Sequence, residues 1–427
     1  MQSNRTPRSV HRLKIDGKVA DCGLHARLIV NAAMLNALLE ILPMEPAPVI
    51  DYINHILADA GFTLVDVGCS GGLDERWRRF GRRLRAFAFD PSVDEIERLR
   101  RVETSGDVKY VAAFATINRD HPFAQKKGER EHWSRNPWNR LSVTKWLENT
   151  AAERAKLDSR DLASSGLWAE TKLVDPAQEI VIPDYLRQVG LGTVDFVKID
   201  IDGRDLEVLH SLDAALDEFA ILGLMVEVNF FGSDAETDHT FHNTDRFLKS
   251  KRFELFDLTT RHYSLATLPA QYIHPNEPAQ SRFGRILQGD ALYLRDLANP
   301  INADLASHMT AGRLLNLICL FALFRLPDCA AGVALEFRDK ISPVCDVDHL
   351  LDLLAAQAQT GVRSPLSYEE YLARFEARDS MFFPDREGAG LESAEAPDAA
   401  RVAPINSPPR FTARIKELFL SQWRNRR

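Results

Sequence analysis

Two clusters in this chain set reactive residue types at spacings that would bring them to one place. The first is Asp66-Val-Gly-Cys-Ser-Gly-Gly72, which ends a short apolar run beginning at Thr63. Gly68, Gly71 and Gly72 let backbone approach a neighbour closely and adopt positive φ. Their spacing is not the G-x-G-x-x-G of a dinucleotide turn. Asp66, two residues before the first glycine, would repel a pyrophosphate. A carboxylate there suits a cationic ligand end, such as the ammonium and sulfonium of S-adenosylmethionine. Asp90 closes a second apolar run, 86–89, 22 residues after Gly68. An acid at that place accepts hydrogen bonds from ribose hydroxyls. Gly68, Cys69, Ser70 and Gly71, with Asp66 and Asp90, are therefore candidates to hold a nucleoside cofactor; a tight turn without ligand is the alternative.

The second cluster lies on the apolar run 194–201. It delivers Lys198, Asp200 and Asp202 to one end, each two residues apart and so on one side of a strand. A lysine buried beside carboxylates is costly unless it is paired or has a task. These three are candidate catalytic residues, a structural ion pair being the alternative. Glu227 ends a further apolar run. No metal is expected, but Asp200, Asp202 and Glu227 form the oxygen set a divalent cation would use. His239 and His242 follow, either a possible general base by its ordinary pKa, or a helix-start or surface residue.

Elements that would position these groups can be read from periodicity. Strands are predicted at 63–67, 85–89, 108–113, 194–200, 220–228, 253–258 and 291–296. Helices at 92–102, 204–217 and 240–251 separate several of them. Alternating strands and helices imply an α/β fold with a parallel sheet covered on both faces. The last two strands have no helix between them, which implies an antiparallel end to the sheet. Helices are also predicted at 25–42 and 50–60. Residues 114–193 form a long insertion, a lid carrying Trp133, Trp138, Trp146 and Trp168. Within it Glu179-Ile-Val-Ile-Pro183 reads as an accessory strand, followed by a helix from Asp184.

At 427 residues the chain exceeds one average domain. The expected organisation is an N-terminal helical segment (1–60), a catalytic domain (61–297), a helical extension (298–384), a linker (385–410) and an amphipathic basic helix (411–427). The net charge of −8 gives no support to a nucleic-acid surface. The arginines Arg76, Arg78, Arg79, Arg82, Arg83 and Arg85 read as a solvated helix face, or as a contact for an acidic substrate. Five cysteines without disulfide or metal spacing fit a reducing cytoplasm. No transmembrane segment is expected: the run Leu314–Leu326, broken by Asn316, is too short and reads as a buried helix.

The second cluster resembles the signature of the FkbM family of S-adenosylmethionine-dependent methyltransferases. The family pattern is Asp-x-x-Lys-x-Asp-x-Glu-Gly followed by Ala-Glu-x-Glu-x-Leu. Here it is met by Asp195, Lys198, Asp200, Asp202, Gly203, Asp205, Glu207 and Leu209. Asp202 and Asp205 stand where the family has Glu, keeping charge but shortening reach. Phe89-Asp-Pro, Ile182-Pro-Asp-Tyr-Leu, Met225-Val-Glu-Val-Asn and Phe253-Glu-Leu-Phe-Asp-Leu extend the resemblance over roughly 60–297. It implies a class I methyltransferase, Rossmann-like sheet of seven strands with S-adenosylmethionine as cofactor. The implied reaction is methylation of a hydroxyl on a sugar, glycan or small natural product. A nucleic-acid methyltransferase of the same fold and a non-catalytic cofactor-binding scaffold are the alternatives. The helical C-terminal region is a candidate surface for self-association.

Overall fold

A computed structural model of the chain describes residues 48–58, 60–124, 178–201, 203–263, 284–359, 362 and 364–377. The predicted helices at 25–42 and 411–427, the four lid tryptophans, the linker and Asp202 lie outside these residues. The first of two compact units, 1–360 with 365–369, contains the sheet. The described part of the second includes the end of a short helix, Tyr368–Glu376.

Nine strands are described. They are β1 (Phe62–Val67), β2 (Leu84–Asp90), β3 (Val108–Ala112), β4 (Phe114–Thr116), β5 (Glu179–Val181), β6 (Phe196–Ile199), β7 (Gly223–Asn229), β8 (Glu254–Tyr263) and β9 (Arg285–Leu294). Seven form one sheet in the order β3-β2-β1-β6-β7-β9-β8. All pairings from β3 to β7 are parallel, and β9 runs antiparallel between β7 and β8. This is the seven-stranded, Rossmann-like sheet that the resemblance implies, with its antiparallel end. The switch in connection direction falls between β1 and β6, where open α/β sheets bind ligands.

Alternation divides the side chains between two cores. Val65, Val67, Phe87, Phe89, Val197, Val226 and Val228 pack one face against the helices Ile182–Gln188, Asp205–Ser211 and Phe241–Ser250. Phe62, Leu64, Ala86, Ala88 and Phe196 pack the other. There the helix Pro48–Ile56 and the helices Ala311–Leu323, Pro327–Glu336 and Val347–Ala358 supply the cover. Every residue from Leu314 to Leu323 is buried. That explains the apolar run in the sequence: among the described residues no helix is long and apolar enough to cross a membrane.

A buried polar network ties this helical layer to the amino-terminal edge of the sheet. Asp195 accepts from Thr63 N (2.7 Å), Arg313 Nη1 (2.5 Å) and Asn316 Nδ2 (2.8 Å). Arg83 donates to Asn316, to Asn54 Oδ1 (2.9 Å) and to Ala60 O (2.7 Å). Burial raises the pKa of Asp195 and Arg313 opposes that rise. Asn316, which interrupts the apolar run, is therefore the joint of the network.

Several elements depart from the sequence reading. The arginine-rich stretch is a 3-10 segment, Glu75–Arg83, kinked at Gly81, and not a solvated α-helix. Trp77, Phe80 and Arg83 are buried, with Phe62 and Phe80 stacked at 3.7 Å. Arg78 pairs with Glu103 at 2.8 Å. The helix predicted over 204–217 splits in two because Leu212 and Asp213 donate to carbonyls three residues back, tightening the turn. β8 and β9 extend well beyond the predicted apolar runs, through Arg261, Gln288 and Asp290; the Arg261 and Asp290 side chains pair, and Gln288 reaches Glu227. β4 went unrecognised; it pairs in parallel with β5. The helix after β5 begins at Ile182, with Pro183 in its first turn.

The network sets a stability test. Arg313→Met leaves Asp195 buried with its charge partner gone, and should lower the unfolding free energy by about 3–5 kcal/mol. Urea denaturation checks this; a change within about 0.5 kcal/mol would be surface-like and would contradict the role.

Candidate functional site

β1 and β6 are neighbours in register, and Asp66 lies directly opposite Lys198. Strand alternation puts Asp90 and Glu227 on the same face as this pair. The carboxyl rim of that face is thus polar above an apolar core.

Lys198 is the centre of the rim. Its Nζ lies 3.4 Å from Asp66 Oδ1 and 3.4 Å from an Asp200 carboxylate oxygen, and it donates to Gly68 O at 3.1 Å. Burial opposes its charge, but Asp66 and Asp200 outweigh that and hold its pKa above the ordinary lysine value. A lysine held charged is not a base; here it is a fixed cation that joins two strand ends.

Asp66 is 2% exposed. Burial raises its pKa to about 6, against the opposing pull of Lys198. Its Oδ1 is buried with no hydrogen-bond partner, holding only the charge contact to Lys198. An anion kept in that state favours a cationic ligand.

The glycine turn is shaped by the protein as much as by any ligand. Gly68 has φ +92°, and a Cβ there would sit 1.7 Å from Asp200 O. Only glycine lets the first turn pass the end of β6. Gly68 N and Cys69 N donate to Phe89 O, at 2.9 and 3.1 Å, which ties the turn to β2. Gly71 N donates to Glu95 Oε1 (2.9 Å). Ser70 and Gly71 are exposed, whereas the Cys69 side chain is core. Asp90 is buried at the end of β2 and accepts from Ser92 N at 2.8 Å.

The remaining candidates separate. Asp200 stays at the rim, its side chain 36% exposed. Glu227 accepts from Arg261 Nη1 at 2.7 Å, and Arg261 also donates to Asp290 at 2.7 Å. Among the described residues no three His, Cys, Asp or Glu side chains converge as a metal group. His239 is 3% exposed. Its Nε2, 2.8 Å from Glu227 O, carries the hydrogen, so Nδ1 accepts from Asn229 Nδ2 at 3.2 Å. Both nitrogens are thereby engaged inside the fold. His242 is exposed, beside a cleft at the end of β7.

Two signature acids hold the surroundings of the site, one through the backbone and one through side chains. Asp205 is fully buried and accepts from Ile201 N (2.9 Å) and Gly203 N (3.0 Å), shaping the turn after β6. Glu207 accepts from Thr116 Oγ1 (3.0 Å) and takes a two-pronged contact from Arg204. The Arg261–Asp290 pair and Asn229 went unrecognised in the sequence. Their one signal is a period-two polar pattern on β7, β8 and β9, weak beside an apolar run.

Residues 103–255 match the family model described as the methyltransferase FkbM domain. The match takes in β6 and its signature but begins after the glycine turn and Asp90. None of the curated proteins matches the chain. Similar solved structures include the magnesium protoporphyrin IX methyltransferase of Synechocystis PCC 6803. It is 10% identical, with 58% of this chain and 79% of that one covered and a TM-score of 0.24. A TehB-like SAM-dependent methyltransferase from Corynebacterium glutamicum is 11% identical (63% and 98% covered, TM-score 0.23). The 1,6-didemethyltoxoflavin-N1-methyltransferase of Burkholderia thailandensis is 10% identical (67% and 93% covered, TM-score 0.23). At these scores the likenesses carry no argument for this chain.

Asp66 yields a pH prediction. Its folded pKa, about 6, lies above the ordinary 3.8, so the stability it contributes is full below 3.8 and lost as pH rises through 6. Asp66→Asn cannot ionise. Its unfolding free energy relative to the parent should therefore rise by about 3 kcal/mol across that window. Urea titrations at both ends measure it; a pH-independent difference would contradict the buried carboxylate.

Proposed function

We propose that the FkbM methyltransferase domain carried by this chain transfers the methyl group of S-adenosylmethionine to a hydroxyl of a sugar or small natural product. One observation carries the reading: Asp66, buried and held by the charge of Lys198 without a hydrogen bond to its Oδ1, stands in register with that fixed cation beside a glycine turn. That donor set fits the cofactor. Asp66 would face its cationic amino-acid end, the turn 68–71 would border it, and Asp90 would take the ribose hydroxyls. When bound, S-adenosylmethionine would supply a methyl group on a sulfonium, the O–CH3 bond forming as the S–CH3 bond breaks and S-adenosylhomocysteine leaves.

The chain's own residues then have three tasks. Lys198 holds the β1 and β6 ends together and keeps Asp66 ionised near neutral pH. Asp200, at the rim, accepts the proton of the attacking hydroxyl, with His242 as the second candidate. Asp202, the third catalytic candidate of the sequence, lies outside the described residues, and no task is assigned to it. Orientation of the hydroxyl by these fixed groups supplies a large share of the rate.

Calorimetric titration with S-adenosylhomocysteine should show micromolar binding that weakens as pH falls below about 6, where Asp66 takes up a proton. No binding at any pH sinks the reading. Asp90→Ala should weaken binding about tenfold or more, corresponding to loss of a hydrogen bond of about 1.5 kcal/mol. Asp200→Asn should leave that binding within about twofold while cutting turnover on an identified acceptor by about 10²–10⁴. Full turnover in Asp200→Asn would remove it as the base.

A further inference from the structure

The cleft at the end of β7 is lined by residues other than those assigned above to the cofactor. Its volume is about 180 Å³. Asn229, Phe230, Ser233, Thr240, Phe241 and His242 are among its lining. A cavity of about 150 Å³ holds one benzene ring, whereas drug-sized ligands need about 300 Å³ or more. The cleft therefore has room for a single six-membered ring.

Polarity narrows the ligand further. Asn229 is 9% exposed, and its Oδ1 is buried with no hydrogen-bond partner. His239 fixes the Asn229 amide, because its Nδ1 takes the Nδ2 hydrogen and leaves Oδ1 over as an acceptor. A buried acceptor without a donor is destabilising, so its retention calls for a ligand donor. The helix Phe241–Ser250 starts at the same cleft with no side-chain cap; Thr240 O takes the Asn243 and Thr244 N–H groups, which leaves those of Phe241 and His242 as donors. A hydroxyl both donates and accepts, and so complements the two. The rings of Phe230 and Phe241, stacked at 5.3 Å, supply an apolar wall.

We propose that this cleft is a subsite for one hydroxylated six-membered ring, a sugar or a phenol, whose hydroxyl donates to Asn229 Oδ1. The subsite adjoins the cofactor rim: His239, which holds Asn229, lies 3.7 Å from Asp205, the shaper of the turn after β6. That this ring bears the methyl-accepting hydroxyl rests on the methyl-transfer reading; that the cleft binds the ring does not.

Saturation-transfer NMR with methyl α-glucopyranoside and, separately, phenol tests the site. Saturation of at least one probe's ring protons is expected with the parent protein. Transfer to the glycoside alone assigns a sugar, to phenol alone an aromatic ring, and to both the shared hydroxylated-ring chemistry. Ser233→Trp, which fills the cleft from an exposed position, should reduce the signal at least tenfold. Asn229→Leu should do the same if its melting curve shows a folded protein; Ser233→Trp decides if it does not. No transfer to either probe, or an undiminished signal in Ser233→Trp, overturns the subsite. A failed S-adenosylhomocysteine titration beside intact ring binding would overturn methyl transfer while leaving the subsite standing.

Discussion

The ammonium of Lys198 is the constraint on which the rim depends. It sits among two carboxylates and a carbonyl, at 3.1–3.4 Å, where two parallel strands end. Remove it, and two acids face each other across adjacent strands with nothing to balance them. Like charges at such separations push carboxyl pKa values up. The same ammonium bonds Gly68 O, so the path of the glycine turn and the charge of Asp66 have one origin. Gly68 in turn has no room for a Cβ against Asp200 O. Charge, turn and strand end are one object.

A second polar object holds the opposite edge. Asp195, Arg313, Asn316 and Arg83 join the start of β6 to the helical layer that covers one sheet face. The strand β6 therefore carries a buried ionic contact at each end, Asp195 below and Lys198 above. Buried pairs are weak stabilisers relative to apolar packing, yet costly to break singly. Their plain effect here is to fix where the strand starts and stops. The helices after residue 300 are the cover of the face that carries the rim.

The class of fold was legible because it depends on periodicity. Apolar runs at 63–67, 86–89 and 194–200 became β1, β2 and β6 within one or two residues, and the missing helix before β9 gave the antiparallel end. Strands whose faces are polar were truncated: β8 and β9 pass through Arg261 and Asp290, which meet only in space. The glycine turn was legible as a close approach, but not the identity of what approaches it. At Gly68 that partner is the backbone of Asp200. Lys198 and Asp200 were legible as a pair from their spacing. The contact between Lys198 and Asp66, 132 residues apart in sequence, needed the register of β1 and β6. His239 read as an accessible base or helix start; its commitment to Glu227 O and Asn229 follows from the loop geometry after β7.

The central claim is that the half-buried Lys198 cation sets the charge of Asp66. Carbon-detected NMR titration of the Asp66 carboxyl, in the parent protein and in Lys198→Met, measures it directly. The account predicts a midpoint near 6 in the parent, displaced to higher pH when the cation is removed. A parent midpoint at the ordinary 3.8, or a midpoint unmoved by Lys198→Met, would contradict it.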